Sequence, residues 1–114
     1  MNKIELIVGL LVVAAAVAMA GIGTVNVGTT ETSVVGADAR RKWIVLQNNS
    51  TNDIYVRVDS STTALTTANG IKIPANGGTL SIAATGYANP SRNVIKAISA
   101  TGTNALTYQE GNEN

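Results

Sequence analysis

The feature that most limits the fold of this chain is the regular alternation of short strand-like runs with turn signals from about residue 30 onward. β-Branched residues fill the runs, and Asn69-Gly70, Asn76-Gly77-Gly78 and Thr101-Gly102 supply turn residues between them. Such runs suit a pleated surface, and their spacing is typical of a β-sandwich or barrel. We predict about seven strands, over residues 30–35, 42–48, 54–59, 71–73, 79–84, 94–100 and 105–110.

Side-chain alternation indicates which face of each predicted strand is buried. Ile54, Val56 and Val58 share one face and should belong to the core, whereas the residues between them face outward. Residues 43–46 are apolar on both faces, which favours a central strand or one covered by a partner. The small polar residues between the second and third predicted strands suggest that residues 39–58 form a short β-hairpin.

The amino terminus is apolar over seventeen residues, from Leu6 to Ile22, without a charged side chain. As a helix this run would be about 25 Å long, close to the thickness of a bilayer's hydrocarbon core. We predict a mainly β protein in which one apolar α-helix (1–23) and an extended linker (24–34) precede an antiparallel β-sandwich (35–114), jelly-roll or immunoglobulin-like. The helix would present to lipid or protein the side chains of Leu6, Ile7, Val8, Leu10, Leu11, Val12, Val13, Val17, Met19 and Ile22.

Three interpretations of this apolar segment remain open. It is a retained transmembrane anchor, a signal peptide cleaved after the Ala18-Met19-Ala20 site, or a helix buried in protein. The third interpretation rests on a resemblance of Ile4-Glu5-Leu6 to the amino terminus of mature type IV pilins. In that family the acidic residue neutralises a neighbour's terminal amine in the filament core, so the resemblance makes Glu5 a candidate contact.

The composition argues against a catalytic function. The chain has no histidine and no cysteine, the usual suppliers of a general base or an activated nucleophile. Its net charge of +1 is too small for the basic field that non-specific nucleic-acid binding requires. We therefore expect no enzymatic activity, no cofactor, no metal, no nucleic-acid partner and no small-molecule substrate.

Candidate contact residues gather around the strand predicted over 42–48. The cations ahead of it either form a solvated strand entrance or contact lipid headgroups or an acidic patch on a neighbouring subunit. The apolar side chains that follow can dock against a partner if Ile44 and Leu46 point inward. The candidates are Arg40, Arg41, Lys42, Trp43 and Val45, with Tyr55 and Arg57 on the next strand.

The order of these motifs resembles a small β-sandwich module common in bacteriophage virion proteins. The resemblance covers most of residues 35–110 and is carried by five segments: Arg40 to Asn48, Asp53 to Val56, Asn69 to Gly78, Ile95 to Gly102 and Leu106 to Glu110. It implies a capsid, spike-base, fibre or decoration role without catalytic residues.

The apolar amino terminus departs from this pattern and points to a particle with an internal membrane. The expected partners are other virion subunits, including further copies of the chain, and a lipid bilayer. The expected location is a membrane-associated virion, and the alternatives are an extracellular filament, the cell surface or a secreted binding module.

Overall fold

A computed structural model describes residues 21–85 and 89–112 of the chain. They form eight β-strands and one short 3-10 turn. In chain order these are β1 Ile22–Val27, β2 Thr32–Val35, β3 Arg41–Asn48, β4 Ile54–Arg57, β5 Ile71–Ile73, β6 Thr79–Ala83, the 3-10 turn Pro90–Arg92, β7 Ile95–Ser99 and β8 Asn104–Asn112.

The strands pair into two four-stranded sheets. Sheet A has the order β1-β8-β3-β6, sheet B has the order β2-β7-β4-β5, and every pairing is antiparallel. Strand 1 thus pairs with strand 8, 2 with 7, 3 with 6 and 4 with 5, as if one long hairpin had been wrapped around itself. This is the pairing of a jelly roll, a sandwich of eight strands.

The core lies between the two sheets. Its largest side chains come from alternate positions of both sheets, among them Ile44, Leu46 and Leu106 of sheet A and Ile54 and Val56 of sheet B, all fully buried. Val58 packs against the same cluster. The inward assignment of Ile54, Val56 and Val58 is confirmed.

The predicted fold class is wrong in its amino-terminal helix. Residues 21–85 and 89–112 contain no α-helix, and therefore none that is long and apolar enough to cross a membrane. The end of the predicted helix and the start of the predicted linker instead form β1, in which Val25 and Val27 face the core and Thr24 and Asn26 face outward. The remainder of that segment, 1–20, lies outside the described residues.

The predicted hairpin over 39–58 is also wrong. Strand β3 pairs with β6 and β8 in sheet A, whereas β4 pairs with β5 and β7 in sheet B. The connection between them crosses from one sheet to the other and is held by buried Asn48, which donates to the carbonyls of Asn52 (2.8 Å) and Ile73 (2.9 Å). The polar stretch is therefore a turn between sheets.

The sandwich has two distinct ends. At one end, which we call the base, the described chain begins at Gly21, whose carbonyl accepts a hydrogen bond from the Glu110 amide (2.7 Å). The first residue of β3, Arg41, pairs there with Asn112, at the end of β8. The 3-10 turn joins the same end, since the Asp38 amide donates to the Arg92 carbonyl (2.9 Å).

Candidate contact surface

Outside the β-bulge at Lys42, the outer face of sheet A carries no charged side chain among its described residues. We call it the uncharged face. Alternation places its members opposite the core-facing residues of each strand. They are Ile22, Thr24 and Asn26 of β1, Ala105, Thr107, Gln109 and Gly111 of β8, Trp43, Val45 and Gln47 of β3, and Thr79, Ser81 and Ala83 of β6.

Three large apolar side chains are exposed on this face. Ile22 is 77% exposed, Trp43 41% and Val45 36%. Ile22 and Val45 both pair with Gln109, so they flank it in one row across three strands. Ile22, Val45 and Gln109 also line an open depression of about 480 Å³, whereas Trp43 lies outside it.

Gly111 makes room for the Trp43 indole. The two residues are cross-strand partners, and a Cβ placed on Gly111 would overlap the Trp43 ring. The indole therefore lies over β8 at Gly111. Trp43 and Val45 lie two positions apart on the same face of β3, and both are exposed to a second protein surface.

The outer face of sheet B is covered by the chain itself. Residues 58–70 join β4 to β5, and Leu65 within them is only 4% exposed although it lies outside the central core cluster. A Cβ on Gly70 would stand 2.7 Å from Tyr55 Cβ and 3.0 Å from Leu65 Cδ1. The three residues therefore meet on this face, which we call the covered face.

Charged side chains hold that loop in place. The Glu31 carboxylate lies 3.3 Å from Arg57 Nη1 and 3.8 Å from Lys96 Nζ, and it accepts a hydrogen bond from the Leu65 amide (3.3 Å). Arg57 also donates to the carbonyl of Thr63. Its Nε lies 3.4 Å from a carboxylate oxygen of Asp59 without forming a hydrogen bond.

Arg41 is a buried structural residue. It is 2% exposed, and its Nε donates to Glu110 Oε2 (3.0 Å). Its two terminal nitrogens donate to the carbonyls of Ser91 (2.6 Å), Asn93 (3.2 Å) and Gly36 (2.7 Å). One guanidinium thus ties together β3, β8, the 3-10 turn and the β2–β3 loop, so Arg41 is inaccessible to a membrane or a partner.

The other candidate contacts fall into separate places. Trp43 and Val45 lie on the uncharged face, with Ile44 and Leu46 inward as the docking hypothesis requires. Arg40 and Lys42 lie at the base, whereas Tyr55 and Arg57 lie under the loop of the covered face. Glu5 and the apolar candidates from Leu6 to Met19 lie outside the described residues.

Sequence reasoning assigned one participant to the wrong element and missed another. Ile22 was predicted as a contact residue of the amino-terminal helix, but it lies in β1 and is the most exposed large apolar side chain of the uncharged face; the alternation of Val25 and Val27 with polar residues was the signal that could have found this strand. Glu110 is the partner of Arg41 across sixty-nine positions of sequence. No local pattern marks such a pair.

No group of three or more acidic, histidine or cysteine side chains among the described residues could hold a metal ion. The buried amides at the end opposite the base are satisfied by structure: Asn104, for example, donates to the carbonyls of Val27 (3.0 Å) and Thr101 (2.8 Å) and accepts from Asn52 (3.0 Å). These side chains fix loops.

Comparisons with known proteins identify no relative. No family model matches the chain, and no curated protein and no solved structure is significantly similar to it. The class of the described part therefore rests on its own strand pairing, which is that of a jelly roll.

Proposed function

We propose that this chain is a structural protein of a bacteriophage particle that contains a membrane. It acts by packing contacts and attaches the protein shell, or a spike, to the bilayer. The observation that carries the proposal is the uncharged, partly apolar outer face of sheet A on a jelly-roll sandwich. Jelly rolls are used in viral capsids as well as in lectins and cupins, so the fold supports the proposal by analogy alone.

The uncharged face is suited to a neighbouring protein subunit. Interface centres are depleted in charged residues and enriched in aromatic ones, and this face has Trp43 beside Val45 with no charge among its described members. A nucleic acid would require cations on the surface it contacts. The neighbouring subunit would cover Trp43 and Val45 and use the hydroxyl and amide groups around them for hydrogen bonds.

Membrane attachment is supported by the sequence of the amino-terminal segment. Residues 6–20 contain no charged side chain and lead directly into Gly21 at the base of the sandwich. The base would therefore be the end of the domain nearest the bilayer, with the uncharged face standing beside it.

The proposal is tested by following the protein into purified particles. The wild-type chain should co-purify with virions in a density gradient at a fixed copy number. A Val45→Glu variant places a charge within the contact, and burial of an unpaired charge costs about 3–5 kcal/mol, so its copy number should fall at least roughly tenfold. Quantitative mass spectrometry of the particles measures both values.

Ser33→Glu is the matched control, because Ser33 is an exposed strand residue on the opposite sheet. It should enter particles as the wild type does. Trp43→Ala, which adds no charge, should also reduce incorporation while the domain stays folded. Particles that lack the wild-type chain, or that accept Val45→Glu at the wild-type copy number, would contradict the proposed function.

A further inference from the structure

We propose that the free edge of sheet A at β6 pairs with β6 of a second copy of this chain. Strand β6 is the last strand of the sheet and is hydrogen-bonded on one side only, to β3. The free side of an edge strand presents backbone N–H and C=O groups to which another chain can add a strand. The inference goes beyond the proposed function, because it concerns the backbone at the sheet edge, whereas the proposed contact uses side chains of the uncharged face.

The register between β3 and β6 shows which backbone groups of β6 are free. The Ala84 amide donates to the Lys42 carbonyl (2.9 Å), and the Asn48 amide donates to the Gly78 carbonyl (2.8 Å). Since opposite residues of an antiparallel pair exchange hydrogen bonds at every second position, the even-numbered residues of β6 bond to β3. No hydrogen bond joins the outward backbone groups to the described chain. These groups belong to Thr79, Ser81 and Ala83.

The three other sheet edges have features that oppose strand addition. Strand β2 has a register shift between Ser33 and Val35, β5 is only three residues long with exposed Lys72 at its centre, and β1 has Gly23 in its interior. Short strands, bulges and lysines are common protections of a sheet edge, and glycine weakens a strand. The five residues of β6 include no charge, proline or glycine, and its pairing with β3 has no register shift.

A second β6 strand fits this edge best in one register. If the strands run antiparallel with Ser81 opposite Ser81 of the second copy, Thr79 lies opposite Ala83 of the second copy. All three outward residues then lie in hydrogen-bonded pairs, and each pair exchanges two bonds. A shift in either direction leaves outward groups of the strand unpaired. The facing side chains are small and uncharged, so the pairing brings no like charges together.

The inner face of β6 favours the same partner. Leu80 packs against the core cluster but is only partly buried. In this register Leu80 lies opposite Ile82 of the second copy, so the pairing would cover apolar surface that the described chain leaves exposed. The two-fold axis is perpendicular to the sheet, so two four-stranded sheets would join with their uncharged faces side by side.

The test captures the pairing as a disulfide on the two-fold axis. The chain has no cysteine, so Ser81→Cys in the full-length protein places one thiol in each copy. Opposite residues of a hydrogen-bonded pair have Cα atoms about 5.5 Å apart, a separation that a disulfide can span. An edge of five residues is small for an interface, so the dimer should depend on concentration and is best captured covalently.

Ser33→Cys is the matched control, because Ser33 is also an exposed serine on an edge strand, in sheet B. In detergent with a mild oxidant, Ser81→Cys should form covalent dimer at least roughly tenfold faster than Ser33→Cys, because pairing raises the effective thiol concentration. Both variants have the same amino-terminal segment, so association through that segment affects both rates. Thr24→Cys, exposed on β1, should also react slowly. Non-reducing electrophoresis measures the rates.

Proline variants show whether the free edge of β6 is responsible. In the Ser81→Cys background, Ala83→Pro removes an outward N–H that β3 does not use, so the rate should fall to that of Ser33→Cys. Ala83→Val keeps this N–H and should react as Ser81→Cys does alone. Thr79→Pro removes the outward N–H at the other end of β6. Circular dichroism and thermal unfolding establish which variants are folded.

Three results would overturn the inference. The first is an equal rate of disulfide formation in Ser81→Cys and Ser33→Cys. The second is a folded proline variant that reacts as fast as Ser81→Cys. The third is a faster reaction of Thr24→Cys, which would assign the pairing to β1. None of them bears on the proposed contact of the uncharged face, which the Val45→Glu variant tests separately.

Discussion

The outer faces of the two sheets differ in what covers them. Sheet B carries charged side chains, and the chain's own loop lies over it with Leu65 buried. Outside the β-bulge at Lys42, sheet A carries no charge among its described outward residues, and Trp43, Val45 and Ile22 are exposed. A loop of the same chain therefore packs on the covered face, whereas no described segment packs on the uncharged face.

The difference between the two faces predicts that one contributes to the stability of the domain and the other to its assembly with a partner. Side chains buried within one chain contribute to its folding free energy, whereas exposed side chains contribute little until a partner removes them from water. Substitutions on the covered face should therefore destabilise the isolated domain. Substitutions on the uncharged face should spare the domain and affect incorporation into particles.

The largest expected effect comes from Leu65→Ala. Truncation of a buried leucine typically costs about 2–5 kcal/mol, and a value near the lower end is expected because Leu65 lies in a loop outside the core cluster. Val45→Ala on the uncharged face is the matched truncation and should cost less than about 1 kcal/mol. Urea unfolding of both variants measures the two free energies.

Equal losses of unfolding free energy in Leu65→Ala and Val45→Ala would contradict the proposed difference between the two faces. If Val45→Ala were as costly as Leu65→Ala, the uncharged face would belong to the stabilising structure of the monomer. If Leu65→Ala cost nothing, the loop would lie over sheet B without holding it.

A smaller effect is expected from Gly70→Ala. The added methyl group would stand 2.7 Å from Tyr55 Cβ, closer than packed carbons approach each other, and overpacking typically costs about 1–3 kcal/mol. Gly36→Ala is the control, because a Cβ there meets no atom within 4 Å. Thermal unfolding should show a lower midpoint for Gly70→Ala and an unchanged one for Gly36→Ala; a stable Gly70→Ala would mean that the loop is free to move away.

Local patterns were sufficient for most of the strands. The predicted segments 71–73 and 79–84 nearly coincide with β5 and β6, because alternation and turn residues act over a few positions. Strand β1 was missed because Ile22 to Val27 continues an apolar run, which hides the alternation of Val25 and Val27. Where a strand directly follows an apolar run, the apolar composition favours a helix prediction and the alternation typical of a strand is overlooked.

Local sequence patterns could not predict contacts between strands or side chains that are distant in sequence. The polar stretch after β3 reads as a hairpin turn, yet its strands lie in different sheets, since the jelly roll pairs strands far apart in the chain. Arg41 reads as a solvent-facing cation because its carboxylate partner, Glu110, is near the other end of the sequence. Alternation placed Trp43 and Val45 on one face of their strand without deciding which face is outward, and the absence of charge across four strands required the register.

The smallest expected effect comes from Glu31→Gln. This substitution separates the contribution of ion pairs on the covered face from that of apolar burial. The carboxylate contacts Arg57 and Lys96, and partly exposed ion pairs contribute about 0.2–1 kcal/mol. Glutamine keeps an oxygen that can accept the Leu65 amide, so the substitution removes charge and little else.

Unfolding free energies at low and high salt measure the contribution of the Glu31 ion pairs to stability. The difference between wild type and Glu31→Gln should shrink at high salt because the ion pairs are screened, whereas the loss in Leu65→Ala should persist because apolar burial does not depend on charge. A salt-insensitive loss in Glu31→Gln as large as that of Leu65→Ala would mean that the carboxylate, and not the buried leucine, holds the loop on sheet B.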